Sequence, residues 1–130
     1  MRISFLSAFA ALVGLGGSVA ANADKSTPLE QAVMVHFEYG SVDWAPFFAF
    51  EETLRERVDS SGAGDYDGNE LATSGKDGYL YMYGPNADKL YALAEPLLKS
   101  CALLKNATVT LVYGKLGDNS VPRKVFRLRS

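Results

Sequence analysis

The sequence predicts an α+β domain, a ferredoxin-like split βαβ sandwich: an antiparallel sheet with two helices on one face and an extra strand at the C-terminal end. Three observations predict it. Two segments with strand spacing, Val33 to Tyr39 and Tyr79 to Tyr83, each close on a Tyr-Gly pair. Each is followed by an apolar pattern of helical period, and each helix is followed by a further strand. Two such halves facing one another place the helix-bearing strands at the centre of the sheet, expected parallel, and right-handed crossovers put both helices on a single face.

The chain opens with Arg2, an apolar run from Ile3 to Leu15, and small residues ending in Ala21-Asn22-Ala23. That is the pattern of a secretion signal covering 1–23, cut before Asp24, and it predicts an exported protein, periplasmic or extracellular. The apolar run is shorter than the roughly 20 residues a membrane span needs, so a membrane anchor is not expected. Met1 to Ala23 should lie off the domain, leaving one domain over 24–130. With Arg2 gone, 13 basic residues become 12 against 15 acidic ones, a net charge of −3. Such a balance argues against general affinity for nucleic acid or anionic membranes. Cys101 is the single cysteine, so the fold must rest on burial and backbone pairing without intramolecular disulfides.

Along the domain, Val33, Val35, Phe37 and Tyr39 alternate with Met34, His36 and Glu38. Gly40 ends that strand, Ser41 or Asp43 caps a helix, Pro46 is tolerated in its first turn, and Phe47, Phe50, Leu54 and Val58 recur at helical spacing. Glu51 and Arg55 read as a solvated pair on its outer face. Gly62 to Gly78 is rich in turn residues, with Glu70 to Thr73 the one stretch of strand character and Thr73 to Gly78 a hairpin turn. After the Tyr79–Tyr83 strand, Gly84-Pro85 stops the chain and Asn86 caps a helix in which Leu90, Leu93, Leu97 and Cys101 share a face. Pro96 should kink or break that helix. Ala107 to Tyr113 and Lys124 to Arg129 are the last strands, with Phe126 and Leu128 facing inward.

Several segments carry a resemblance: Phe37 to Gly40, Pro46 to Phe48 with Glu51, Gly62 to Glu70, Tyr81 to Pro85 with Asp88, and Val109 to Gly114. Together they resemble a family of small bacterial proteins with no assigned function. The resemblance implies a compact α+β domain and carries over no catalytic residue.

No arrangement in the chain forms a recognised catalytic, metal or cofactor motif, so no cofactor is expected. His36 is the single histidine, and it lies beside Glu38 on the strand face opposite the core. Acid–base work requires a partner and a concave pocket. Cys101, on an apolar stripe, reads as a small buried hydrophobe rather than a thiol partner of His36. Asp65, Asp67 and Glu70, with Asp59 and Asp77 nearby, offer oxygen ligands without calcium-loop spacing, and solvated turns are the simpler reading. Arg127 and Arg129 face water on an edge strand, where charge discourages sticking; a local anion or acidic-partner contact is the alternative.

Aligning Tyr83-Gly84 with Tyr39-Gly40 puts Tyr79, Tyr81 and Tyr83 under the helices and sends Leu80 and Met82 to the other face, beside His36 and Glu38. The expectation is therefore an exported binding or interaction module, its ligand or partner held by His36, Glu38, Leu80 and Met82. That partner is an unidentified protein or small molecule, and a homodimer through the same face is one form of it. An enzyme using His36 and Glu38 for proton transfer, with a tyrosine hydroxyl as helper, and an inhibitor or immunity-type protein are the alternatives.

Overall fold

The computed structural model describes residues 2–6 and 30–129. Its elements run β1 (Arg2–Leu6), β2 (Gln31–Glu38), α1 (Ala45–Asp59), β3 (Asp65–Ala72), β4 (Asp77–Gly84), α2 (Ala87–Ser100), a 3-10 turn (Ala102–Leu104), β5 (Thr108–Val112) and β6 (Arg123–Arg127). Five strands, in the order β3-β4-β2-β5-β6, form the open sheet of the domain, β1 adds to its β3 edge, and every neighbouring pair is antiparallel. Both helices pack against one side of it. The two helix-bearing strands are central as expected, but antiparallel to each other rather than parallel, with Gln31 opposite Gly84 and Glu38 opposite Asp77.

That direction settles which side chains are core. Residues directly opposite one another across an antiparallel pair share a face. Val33 faces Met82 and Val35 faces Leu80, and all four are fully buried beneath the helices. Leu80 and Met82 are thus core residues, not members of a binding face, and Tyr79, Tyr81 and Tyr83 stand half-buried on the other side. The Tyr-Gly repeat misleads because it aligns strands that run in opposite directions.

Neither Ser41 nor Asp43 caps α1: its N-cap is Trp44, without a side-chain cap bond, and Asp43 accepts from the Ala45 N–H at 3.1 Å in the turn that leads into the helix. Phe47, Leu54 and Val58 are buried along it as expected, but Glu51 is buried with them, whereas Phe50 is only half-buried. Asn86 caps α2 through Lys89 N–H at 3.0 Å. The buried face of α2 is Ala87, Leu90, Ala94 and Leu98, one residue away from the expected stripe at its C-terminal half, and Leu97 is half-buried. The helix runs unbroken through Pro96. Pro96 and Ala92 are both exposed, so water can satisfy the carbonyl that loses its intrahelical donor.

The strand character of Glu70 to Thr73 belongs to a longer, eight-residue strand, Asp65–Ala72, which takes in residues read as turns and carries a bulge between Tyr66 and Gly68. Its polar composition hides a buried set of Tyr66, Asn69 and Leu71. The β3–β4 hairpin turns at Gly75, whose φ of +79° suits glycine, and a Cβ there would sit 2.2 Å from the Ser41 carbonyl oxygen. Gly75 O accepts from Gly40 N–H at 2.6 Å, tying the hairpin to the end of β2. At the far edge, Leu128 is buried and Arg127 and Arg129 are exposed. The expectation that the leader stands off the domain does not hold for Arg2–Leu6, whose backbone pairs with β3 from Gly68 to Ala72. The remainder of the predicted leader lies outside the described residues. Among the described residues no helix is long and apolar enough to cross a membrane.

Candidate functional site

One rung of the sheet assembles the site on the face away from the helices. Arg127 pairs with Thr108, Thr108 with His36, His36 with Tyr79, and Tyr79 with Glu70. Five strands therefore present five side chains in one row, a consequence of register alone. Beside this row lies a cavity of about 380 Å³ lined by His36, Glu38, Lys105, Asn106, Thr108 and Arg127. Asn106, at φ 64°, makes the left-handed step that carries the chain from the 3-10 turn into β5 and brings Lys105 and Asn106 to the cavity rim.

His36 reaches diagonally across the β2–β4 pair, its Nε2 standing 2.7 Å from Asp77 Oδ2. The Asp77 side chain is 10% exposed and that of His36 is 35% exposed. An ionised carboxylate only accepts, so beside an ionised Asp77 the proton sits on Nε2. The imidazole lies over the Tyr79 ring, centroids 4.5 Å apart, and Tyr79 stacks on Tyr81 at 6.1 Å. Tyr81 donates to the Glu70 carboxylate. Burial, then that bond to Glu70, pushes the Tyr81 hydroxyl well above its ordinary value. Burial, reinforced by Asp67, Glu30 and Glu70, pushes Tyr83 up to about 12. Both phenols therefore stay protonated around neutral pH, and Tyr81 donates to Glu70.

The cations at this cavity are uncommitted. Among the described residues the side chains of Lys105 and Arg127 make no hydrogen bond or ion pair. Two free cations beside a histidine, with Asn106 and Thr108 as polar groups, can receive an anion; Glu38, exposed on the rim, biases against a second negative group on its side.

A second buried carboxylate lies on the opposite face. Glu51, 6% exposed, accepts from Tyr66 Oη at 2.6 Å and from Asn69 Nδ2 at 2.5 Å. The Arg55 guanidinium sits over the Tyr66 ring, 5.0 Å from its centroid. Glu51, Tyr66 and Asn69 are buried and Arg55 is half-buried, which corrects the expectation of a solvated Glu51–Arg55 pair. Cys101 is half-buried at the end of α2, packed against the core, with its thiol pushed up by burial. Among the described residues no group of three or more His, Cys, Asp or Glu side chains is arranged to hold a metal ion.

Of the four expected binding residues, the structure keeps His36 and Glu38 together at the cavity and sends Leu80 and Met82 to the core. Sequence reasoning misses Asp77, Tyr79 and Lys105 as members of the site. Asp77 looks like a turn residue until the hairpin register places it opposite Glu38. In comparison with known proteins, no family model matches the chain, and no curated protein and no solved structure matches it.

Proposed function

We propose that this chain is an exported binding module that takes a small anionic molecule, a carboxylate or phosphate, in the cavity beside His36. The observation that carries the reading is the pair of uncommitted cations, Lys105 and Arg127, facing a cavity of about 380 Å³ together with His36. That size suits a small organic acid, and an arginine fork is suited to bidentate contact with a carboxylate or phosphate. Export is supported by Arg2, the Ile3–Leu15 run and the Ala21–Ala23 cleavage pattern. The strand order β3-β4-β2-β5, with α1 and α2 as the two crossovers, supports reading the scaffold as a ferredoxin-like split βαβ sandwich extended by β6.

Calorimetric titration with succinate and with inorganic phosphate tests the reading. At least one should bind, and replacing Lys105 and Arg127 together by Ala should weaken it by about tenfold or more, since charge-assisted hydrogen bonds contribute about 1.5–3 kcal/mol each. Binding that survives the double substitution, or no heat with either anion, contradicts it.

A second reading follows from the 2.7 Å contact between His36 and Asp77. A carboxylate that orients an imidazole is the arrangement of a general base, so proton transfer from a bound acid is the enzymatic form of the same site. Its signature is a turnover that His36→Gln abolishes while succinate affinity falls only in part.

A further inference from the structure

The two edges of the five-stranded sheet carry opposite charge. β3 presents Asp65, Asp67 and Glu70, and β6 presents Arg123, Lys124 and Arg127. β6 pairs with β5 alone, so its outer backbone groups have no strand beside them among the described residues. Val125, at the middle of β6, is 62% exposed, an apolar side chain left in water between charges. The β3 edge does have a neighbour: Arg2–Leu6, laid antiparallel along Gly68–Ala72 for five residues. That edge thus accepts the backbone of a five-residue strand, and β6 is a strand of the same length with basic residues at both ends.

We propose that removal of the leader frees the β3 edge and that the β6 strand of a second copy of this chain, with the residues flanking it, pairs along β3, reaching Asp65 and Asp67 as well as the Gly68–Ala72 stretch that Arg2–Leu6 covers. The inference rests on the export reading above, since a retained leader keeps the edge covered. Charge chooses the pairing. Setting β3 against β3 brings carboxylates together, and setting β6 against β6 brings cations together; both are unfavourable across strands. Only β3 against β6 joins opposite signs, while pairing the free backbone groups of both edges and covering Val125. Such a contact joins two different surfaces, so it propagates head to tail into a ring or a filament rather than closing as a two-fold dimer. The charge on β6 then has two effects: it rejects like edges and selects the acidic one.

Sedimentation of the full chain and of the processed exported chain, with the N-terminus of each defined by mass, tests this. The full chain should sediment as a monomer, its edge filled by its own Arg2–Leu6. The processed chain should sediment as multiples of the monomer mass at low salt and return to monomer near 1 M salt, where screening reaches about 3 Å. Arg123→Glu with Lys124→Glu should hold it monomeric, as should Asp65→Lys with Asp67→Lys. Mixing these two variants should restore association, because each then offers the edge the other lacks; restored association also shows both are folded. None of the four substituted residues lines the His36 cavity, so succinate or phosphate binding reports separately on the proposed function. A processed chain that stays monomeric, association indifferent to both charge reversals, or an exported chain that retains Arg2–Leu6 overturns the proposal.

Discussion

Glu51 and Asp77 are carboxylates of nearly equal burial, 6% and 7% exposed, on opposite faces of one sheet. Glu51 points into the layer between α1 and β3 and is bonded by Tyr66 and Asn69. Asp77 points the other way and is bonded by a histidine that borders a cavity. Burial alone therefore does not mark a functional acid. What separates the two is the partner: a phenol and an amide tie Glu51 into the core, while an imidazole links Asp77 to whatever enters the cavity.

The comparison breaks first at stability. Glu51→Ala leaves two buried donors without an acceptor and opens a void, so it should cost about 2–5 kcal/mol, read as a drop in the denaturation midpoint. Asp77→Asn keeps shape and an acceptor oxygen and should cost about 1 kcal/mol or less, while weakening anion binding through a misoriented His36. Equal losses from the two substitutions would erase the distinction.

The helix register gives the next largest contrast. Leu98 is fully buried and Leu97 is half-buried. Leu98→Ala should therefore cost about 2–5 kcal/mol, and Leu97→Ala clearly less in the same melt.

A smaller stability effect is expected at Tyr81, which is half-buried between Tyr79 and Glu70 on the outer face. Tyr81→Ala should lower stability by about 1 kcal/mol, yet weaken succinate or phosphate binding by loosening the stack that holds His36. A large loss of stability with affinity intact would return the tyrosines to a core role.

The smallest effect is a pH dependence. Burial, with Asp59 beside Asp65 and Asp65 beside Asp67, raises the carboxyls of both residues above the usual range. The folded chain therefore binds these protons more tightly than the unfolded chain. Their ionisation costs stability at neutral pH, and that stability returns as pH falls through the raised values toward the ordinary carboxylate range. Asp65→Asn with Asp67→Asn should be more stable than the natural sequence at pH 7, with the gap closing in acid.

These contrasts also show how much was legible beforehand. The strand Gln31–Glu38, both helices and the β3–β4 hairpin follow from alternation, caps and turn residues, and so does the isolation of His36 from Cys101. Glu51 was readable too: it lies four residues after Phe47 and three before Leu54, on the buried stripe, and only its charge suggests an outer face. The orientation of Tyr79 to Tyr83 was not readable, since both of its alternating sets are apolar or aromatic and only pairing with Val33 and Val35 decides between them. The same holds for the site. His36, Tyr79, Thr108 and Arg127 are far apart in sequence and meet only through the register of four strands.

The row they form is tested most directly by NMR of the His36 ring and the Arg127 guanidinium during titration with succinate and with phosphate. Shifts should appear at His36, Thr108 and Arg127 with at least one of these anions, and Lys105→Ala with Arg127→Ala should remove those at His36 and Thr108. Shifts confined to the other end of the sheet, around Glu30, Asp59 and Tyr83, or no shifts with either anion, would contradict a site on this rung.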